Sequence, residues 1–161
     1  MRPDDAASSP LYPREAAPLV PHQGAMCLLD TIQYADEGEI VALVTPRRGD
    51  LLAEAAGVFV HAALEWMAQA AAAWSTLTAT AGADATPRAG MLLGVRRFRA
   101  ACDFLPFDET LAVRVRVETL ADNGLGHFSG ALYPASADGA VEALATASLS
   151  VLEFPSPPPD G

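Results

Sequence analysis

The chain reads as an α+β fold, a curved antiparallel sheet wrapped around one long central helix. Three observations predict it. One stretch, Val58 to about Ala79, is rich in Ala and free of internal Gly and Pro, as a long helix requires. Strand-like segments flank it in sequence, two before and four after. Consecutive strands joined by tight turns pair antiparallel. A helix that is apolar almost all round must then be covered by a sheet that bends around it.

The elements follow in order. Residues 1 to 17 are rich in Pro, Ala, Asp and Ser without apolar periodicity, and read as an irregular tail, loose or laid along the surface. A single domain runs from 18 to 154. Met26 to Tyr34 is a short apolar strand, and Glu39 to Pro46 a second, after the turn-like Ala35-Asp36-Glu37-Gly38. A loop, Arg47 to Gly57, leads into the helix, and a loop with Gly82 and Pro87 leaves it. Gly90 to Ala101 is the next strand. Glu109 to Glu118 alternates, with Leu111, Val113, Val115 and Val117 on one face and Ala112, Arg114 and Arg116 on the other. Asp122-Asn123-Gly124 is a hairpin turn signal leading to Leu125–Tyr133. A turn at Ser136 to Gly139 precedes Ala140 to Phe154. There Val141, Ala143, Ala145, Ala147, Leu149 and Val151 share a face, and the small residues leave room for the helix. Pro155 to Gly161 holds four Pro and reads as an irregular tail. This is the hotdog architecture. Its sheet ends in open edges, which pairing between subunits would cover, so a dimer is expected.

Composition narrows the chemistry. All ten basic residues among the 161 are Arg, which excludes Schiff-base catalysis, a pyridoxal-phosphate anchor and a Lys-bearing phosphate loop. A net charge of −10 argues against nucleic-acid binding, which needs a basic stripe. Val58 to Ala73 is the longest apolar run, and His61, Glu65 and Gln69 interrupt it, so no membrane span is expected. The N-terminus lacks a basic-then-apolar signal peptide. Cys27 and Cys102 stand far apart without a pairing motif, as expected of reduced thiols in the cytoplasm. There is no nucleophile elbow, no His-Glu-x-x-His, no Cys-x-x-Cys and no Gly-rich dinucleotide fingerprint. Neither a metal nor a cofactor is expected.

Proton carriers remain. Glu65 sits mid-helix among apolar neighbours, where loss of hydration would suit a carboxyl to donate or accept a proton; the alternative is an ordinary solvent-facing Glu. His61 lies four residues earlier, hence on the same helical face. It is read as a second acid/base group, a metal ligand, or a packed imidazole at the helix start. His22 lies in a Pro- and Gly-containing segment before a strand. His127, on a strand beside Gly126, has no evident partner and reads as structural or exposed.

Two stretches resemble a known family. Val20-Pro21-His22-Gln23-Gly24-Ala25-Met26-Cys27-Leu28-Leu29-Asp30 resembles the "PHR-x-P-x-LL-x-D" opening of the beta-hydroxyacyl-acyl carrier protein dehydratases. Leu64-Glu65-Trp66-Met67-Ala68-Gln69 resembles their helix motif "E-x-MAQ". Gly90 to Asp108 looks like the basic strand leading into "P-x-GD", with Phe107 in place of the glycine. The resemblance covers about residues 18 to 153. It looks closest to the dehydratase-like proteins of aryl-polyene clusters, with "PH-x-GPM-x-LLD" and "IEYMAQ".

The resemblance implies a hotdog dimer, homo- or heteromeric, that handles acyl thioesters on acyl carrier protein or CoA as a 3-hydroxyacyl dehydratase. In the family a His removes the proton alpha to the thioester. A helix Glu helps the 3-hydroxyl leave, and a backbone amide at the helix start polarises the carbonyl. Glu65 matches the Glu, and Val60 stands where the amide donor does. Gly57, Val60 and Gln69 are the expected substrate-binding positions. The family's loop His and its "MPG" are missing: near Leu51, the segment Asp50 to Ala56 holds no His. His22 or His61 would have to substitute. The alternatives are a non-catalytic hotdog subunit that binds or scaffolds an active dehydratase, and an acyl thioesterase using the helix carboxylate and water. Arg96, Arg97 and Arg99 on one strand, with Arg47, Arg48 or Arg88 as further members, are the candidates for docking an acidic carrier; a plain solvated sheet face is the other reading.

Overall fold

The structure, a computed structural model, describes residues 12–79, 87–138 and 140–154. In chain order its strands are β1 (Arg14–Glu15), β2 (Thr31–Ala35), β3 (Glu39–Val44), β4 (Ala53–Glu54) and β5 (Gly57–Phe59). Helix α1 (Ala62–Ala79) follows, then β6 (Gly90–Ala100), β7 (Phe104–Leu105), β8 (Leu111–Leu120), β9 (Leu125–Pro134) and β10 (Ala145–Glu153). Seven strands form one antiparallel sheet in the order β1-β2-β3-β8-β9-β10-β6, and β4-β5-β7 form a small second sheet. This is the expected hotdog arrangement, a sheet around a single helix.

Alternation in sequence sets the face of each strand. Ile40, Ala42 and Val44 of β3, Leu111, Val113 and Val115 of β8, and Ala145, Ala147 and Leu149 of β10 are all buried, while Arg114 and Arg116 point out. These inward residues meet α1, whose Ala63, Trp66, Met67, Ala70, Ala71, Ala73 and Trp74 are buried too. No side chain of α1 before Thr78 is fully exposed, so the sheet and its flanking segments cover most of the helix circumference. The approach is close at Gly130 of β9, where a Cβ would stand 2.4 Å from Met67 Sδ. Only a residue without a side chain admits the helix there. At the far end of α1, Trp74 Nε1 donates to the Asp36 carbonyl at 2.8 Å, tying the helix to the β2–β3 turn.

Several boundaries differ from expectation. The helix begins at Ala62, not Val58, because Gly57–Phe59 pair with β4 on one side and β7 on the other. The first large strand begins at Thr31, not Met26; Gly24–Met26 form a 3₁₀ turn, and the Leu28 amide bonds a side chain of α1 instead of a strand. The last strand begins at Ala145. The ordered chain extends into the segment read as a tail, since Arg14 and Glu15 pair with Ile32 and Thr31 and Ala16 is fully buried. Residues 1–11, Gly82, Gly139 and Pro155 to Gly161 lie outside the described residues.

Candidate active site

The site is built where the segment before β2 crosses the first turn of α1. Ala16, Leu19 and Val20 are buried in the core and pin that segment down. Beyond them, Gln69 fastens it to the helix. Gln69 is fully buried and all three of its side-chain bonds are made. Its Nε2 donates to the Met26 carbonyl at 2.8 Å and to Glu65 Oε1 at 3.1 Å, and its Oε1 accepts from the Leu28 amide at 2.9 Å. The clamp sets His22 against Glu65, with Nε2 3.5 Å from Glu65 Oε1. Glu65 lies in the first turn of α1.

Glu65 is less dehydrated than its sequence surroundings suggest. Its side chain is 38% exposed and that of His22 31%, because the pair opens onto a cleft. Nδ1 of His22 is buried and has no hydrogen-bond partner among the described residues. Ala68 and Ala72 of α1, with Leu92 of β6, Phe128 of β9 and Val151 of β10, give the cleft apolar walls. Ser75, Arg88 and Glu153 also line it, and sequence reasoning placed none of the three in the site. The signal for Ser75 was present: Glu65, Ala68, Ala72 and Ser75 fall on one helical stripe. Arg88 and Glu153 come from distant strand ends, and nothing in their local sequence marks them.

The other expected site residues lie elsewhere. His61 does not share a helical face with Glu65, since it precedes the helix. Its carbonyl accepts from the Leu64 amide at 3.1 Å, and its exposed ring stacks on Phe59 (centroids 4.6 Å apart) and packs against Phe98 (4.8 Å). That fits the packed, helix-start reading. Val60 does not offer a free amide, because its N–H donates to the Asp103 carbonyl at 2.9 Å. Gly57 is buried at φ +138°, where a Cβ would meet the Leu105 carbonyl at 2.4 Å; it serves the approach of β5 to β7 and does not line the cleft. Gln69 acts on the site by holding Glu65 and the His22 segment. Leu51, near the place of the family's loop His, lines a separate hollow with Arg47 and Asp50. His127 Nδ1 lies 2.9 Å from Ser150 Oγ on the exposed side of the sheet.

Arg96, Arg97 and Arg99 are exposed on β6, and none has an ion-pair partner among the described residues. Arg96 and Arg99 stand opposite Ser148 and Thr146, which face away from the helix. Arg97, at φ 55°, occupies the bulge between them. Arg97 and Arg99 line an outer groove with Arg114 and Arg116. The latter two share Glu39, at 3.7 and 3.2 Å. The basic surface is therefore clustered, on the sheet face opposite the helix. Among the described residues no group of three or more His, Cys, Asp or Glu could hold a metal ion, and no helix is long and apolar enough to cross a membrane.

The model of the ApeP-like family, described as ApeP dehydratase, matches residues 14–158. No curated protein matches the chain. Among solved structures, the fold is similar to the dehydratase heterocomplex ApeI:P from Xenorhabdus doucetiae (TM-score 0.74, 23% identity, covering 88% of this chain and 92% of that one). It is also similar to a thioesterase from Haemophilus influenzae (TM-score 0.56, 10% identity, 77% of each chain). A third similar structure is a sigma28-regulated virulence protein from Campylobacter jejuni (TM-score 0.57, 9% identity, 88% and 89%).

Proposed function

The chain belongs to the ApeP-like dehydratase family, and we propose that it dehydrates 3-hydroxyacyl thioesters carried on acyl carrier protein or CoA. The observation that carries this reading is the His22–Glu65 pair, 3.5 Å apart at one end of an apolar-walled cleft. His22 takes the proton at C2 and Glu65 gives one to the departing 3-hydroxyl, so the C3–O bond breaks, the C2=C3 bond forms and water leaves. The proton then passes from His22 back to Glu65 across the short gap between them. Gln69 holds both groups in register.

The edge strand β6 supports a second subunit. Among the described residues it pairs with β10 alone, and Met91 and Leu93 on it are each 51% exposed. Gly90 and Leu92 of the same strand line the cleft, so a related hotdog subunit on this edge would also help enclose the substrate. The arginines on the outer sheet face are the proposed docking surface for an acidic carrier, and the two unpaired cysteines fit a cytoplasmic setting.

One observation favours a second reading, a non-catalytic partner of an active dehydratase. The Val60 amide is committed to Asp103, and His22 Nδ1 has no group to orient it. One experiment separates the two. Hydration of a 2-enoyl thioester is followed for the wild type, Glu65→Gln and His22→Ala. A loss of about 10²-fold or more in each variant is expected, and equal rates in all three would overturn the assignment. Turnover that appears only when a second hotdog subunit is added, and is indifferent to Glu65 and His22, would establish the partner role. Release of free thiol without enoyl turnover would mark a thioesterase.

A further inference from the structure

We infer that Ser75, Glu153 and Arg88 form a specificity-determining partition that sets how long an acyl chain the cleft accepts. The inference rests on the acyl-thioester reading above. Ser75 Oγ donates to Glu153 Oε2, and Arg88 Nη1 donates to Glu153 Oε1. These three side chains line the cleft that begins at Glu65 and His22. They also line a second hollow, which Thr78 and Ala79 border. One wall thus divides two spaces lying end to end along α1.

Helix geometry fixes the dimension. Glu65 and Ser75 are ten residues apart, about 15 Å at 1.5 Å per residue, and Ala79 lies about 6 Å further on. Small residues, Ala68 and Ala72, floor the first span. The partition is anchored on both sides: the Glu153 amide donates to the Gly124 carbonyl at 2.9 Å, and the Phe154 amide to the Ala89 carbonyl at 3.0 Å. A Cβ at Gly124 would stand 2.6 Å from the Glu153 carbonyl oxygen, so the two backbones touch there. Arg88 and Glu153 keep 38% and 28% side-chain exposure, so their charges are hydrated.

An alkyl chain lying in the first span gains from each methylene it buries, about fourfold in affinity. One that reaches the partition must strip water from a carboxylate and a guanidinium and returns no hydrogen bond. Affinity should therefore climb with length and stop where the chain meets Glu153.

The probe is a series of S-alkyl pantetheine thioethers, butyl to hexadecyl, which bind without turnover. Binding is read by the fluorescence of Trp74, which lines both spaces. The wild type is compared with R88M/E153L, which removes both charges together so that neither is orphaned. The wild type should show a break in the length series, and the double variant should move it to longer chains, with a gain of about tenfold or more for the first chain past the break. Should the double variant fail to fold, R88M/E153Q serves, keeping a hydrogen-bonding group opposite Ser75 while removing both charges; the same chain should again gain. A wild-type series without a break, or a break that neither variant moves, overturns the partition and leaves the dehydratase reading standing. Failure of every thioether to bind overturns the acyl reading, and the partition with it.

Discussion

Gln69→Leu removes the clamp that sets His22 on Glu65 while nearly conserving side-chain volume. The wild-type amide makes three bonds, of 2.8, 3.1 and 2.9 Å. Leucine leaves the Met26 carbonyl and the Leu28 amide without their partner. An orphaned buried group costs about 1–3 kcal/mol, and these lie in a half-buried segment, at the low end of that range. The expected loss is about 2–3 kcal/mol, which a domain of 5–15 kcal/mol survives folded. With a urea slope of about 1–3 kcal/mol/M the midpoint should fall by about 1 M. Activity should fall further than stability accounts for. Without Gln69 the His22 segment is free to drift, and a displacement of about 1 Å at a reacting group can cost about 10²-fold in rate. Gln69→Glu sharpens the comparison. It keeps an acceptor for the Leu28 amide but sets a second carboxylate against Glu65 and the Met26 carbonyl, so it should lose at least as much activity. Urea unfolding and enoyl-thioester hydration, measured on the same preparations, test both. A midpoint within about 0.2 M of the wild type, with unchanged turnover, would refute the claim that Gln69 builds the site.

Two further predictions concern the frame around the site. The Tyr34 hydroxyl, followed by the amides of Gly38 and Glu39, holds the Asp36 carboxyl below its ordinary value of 3.8. A carboxyl lowered on folding stabilises above its unfolded value, and that contribution is lost as pH falls through the folded value. The urea midpoint of the wild type should therefore drop more steeply below about pH 4 than that of Asp36→Asn; parallel curves would deny the turn this role. Gly130→Ala should overpack the helix–sheet contact by about 1–3 kcal/mol. Adding Met67→Ala should relieve part of that cost, which a double-mutant cycle reads as a departure from additivity.

The sequence carried what depends on local periodicity. The alternation of Leu111, Val113 and Val115 with Ala112, Arg114 and Arg116 reappears as buried and outward faces of β8. The Ala-rich stretch reappears as a helix covered nearly all round. What it could not carry depends on partners distant in the chain. Gly57–Phe59 has helix-compatible neighbours, yet it is drawn into a strand by Phe104–Leu105, more than forty residues on. The same pairing places Asp103 to take the Val60 amide, and it leaves His61 ahead of the helix, its ring on Phe59. A four-residue displacement of a helix start was thus enough to move two expected site residues out of the site. His22 became readable only through the motif around it, because its place against Glu65 depends on Gln69, whose motif position shows no hydrogen-bond partners.

The acidic balance of the chain bears directly on how β6 is used. Among the described residues the strand has one hydrogen-bonded neighbour, and its two ends carry different chemistry: Met91 and Leu93 at the start, Arg96, Arg97 and Arg99 toward the finish. The bulge at Arg97 falls within the arginine cluster, between Arg96 and Arg99, and bulges re-aim side chains and interrupt edge pairing. A subunit pairing along the apolar start would enclose the cleft without covering the arginines. An acidic carrier on the arginines would meet the outer sheet face, where Glu39 already offsets Arg114 and Arg116. On the proposed carrier reading, attraction would then come chiefly from the three arginines of β6. Replacing all three with Gln should weaken carrier binding and flatten its salt dependence while leaving turnover of CoA thioesters unchanged. An equal loss with both substrates would assign these arginines to subunit pairing instead.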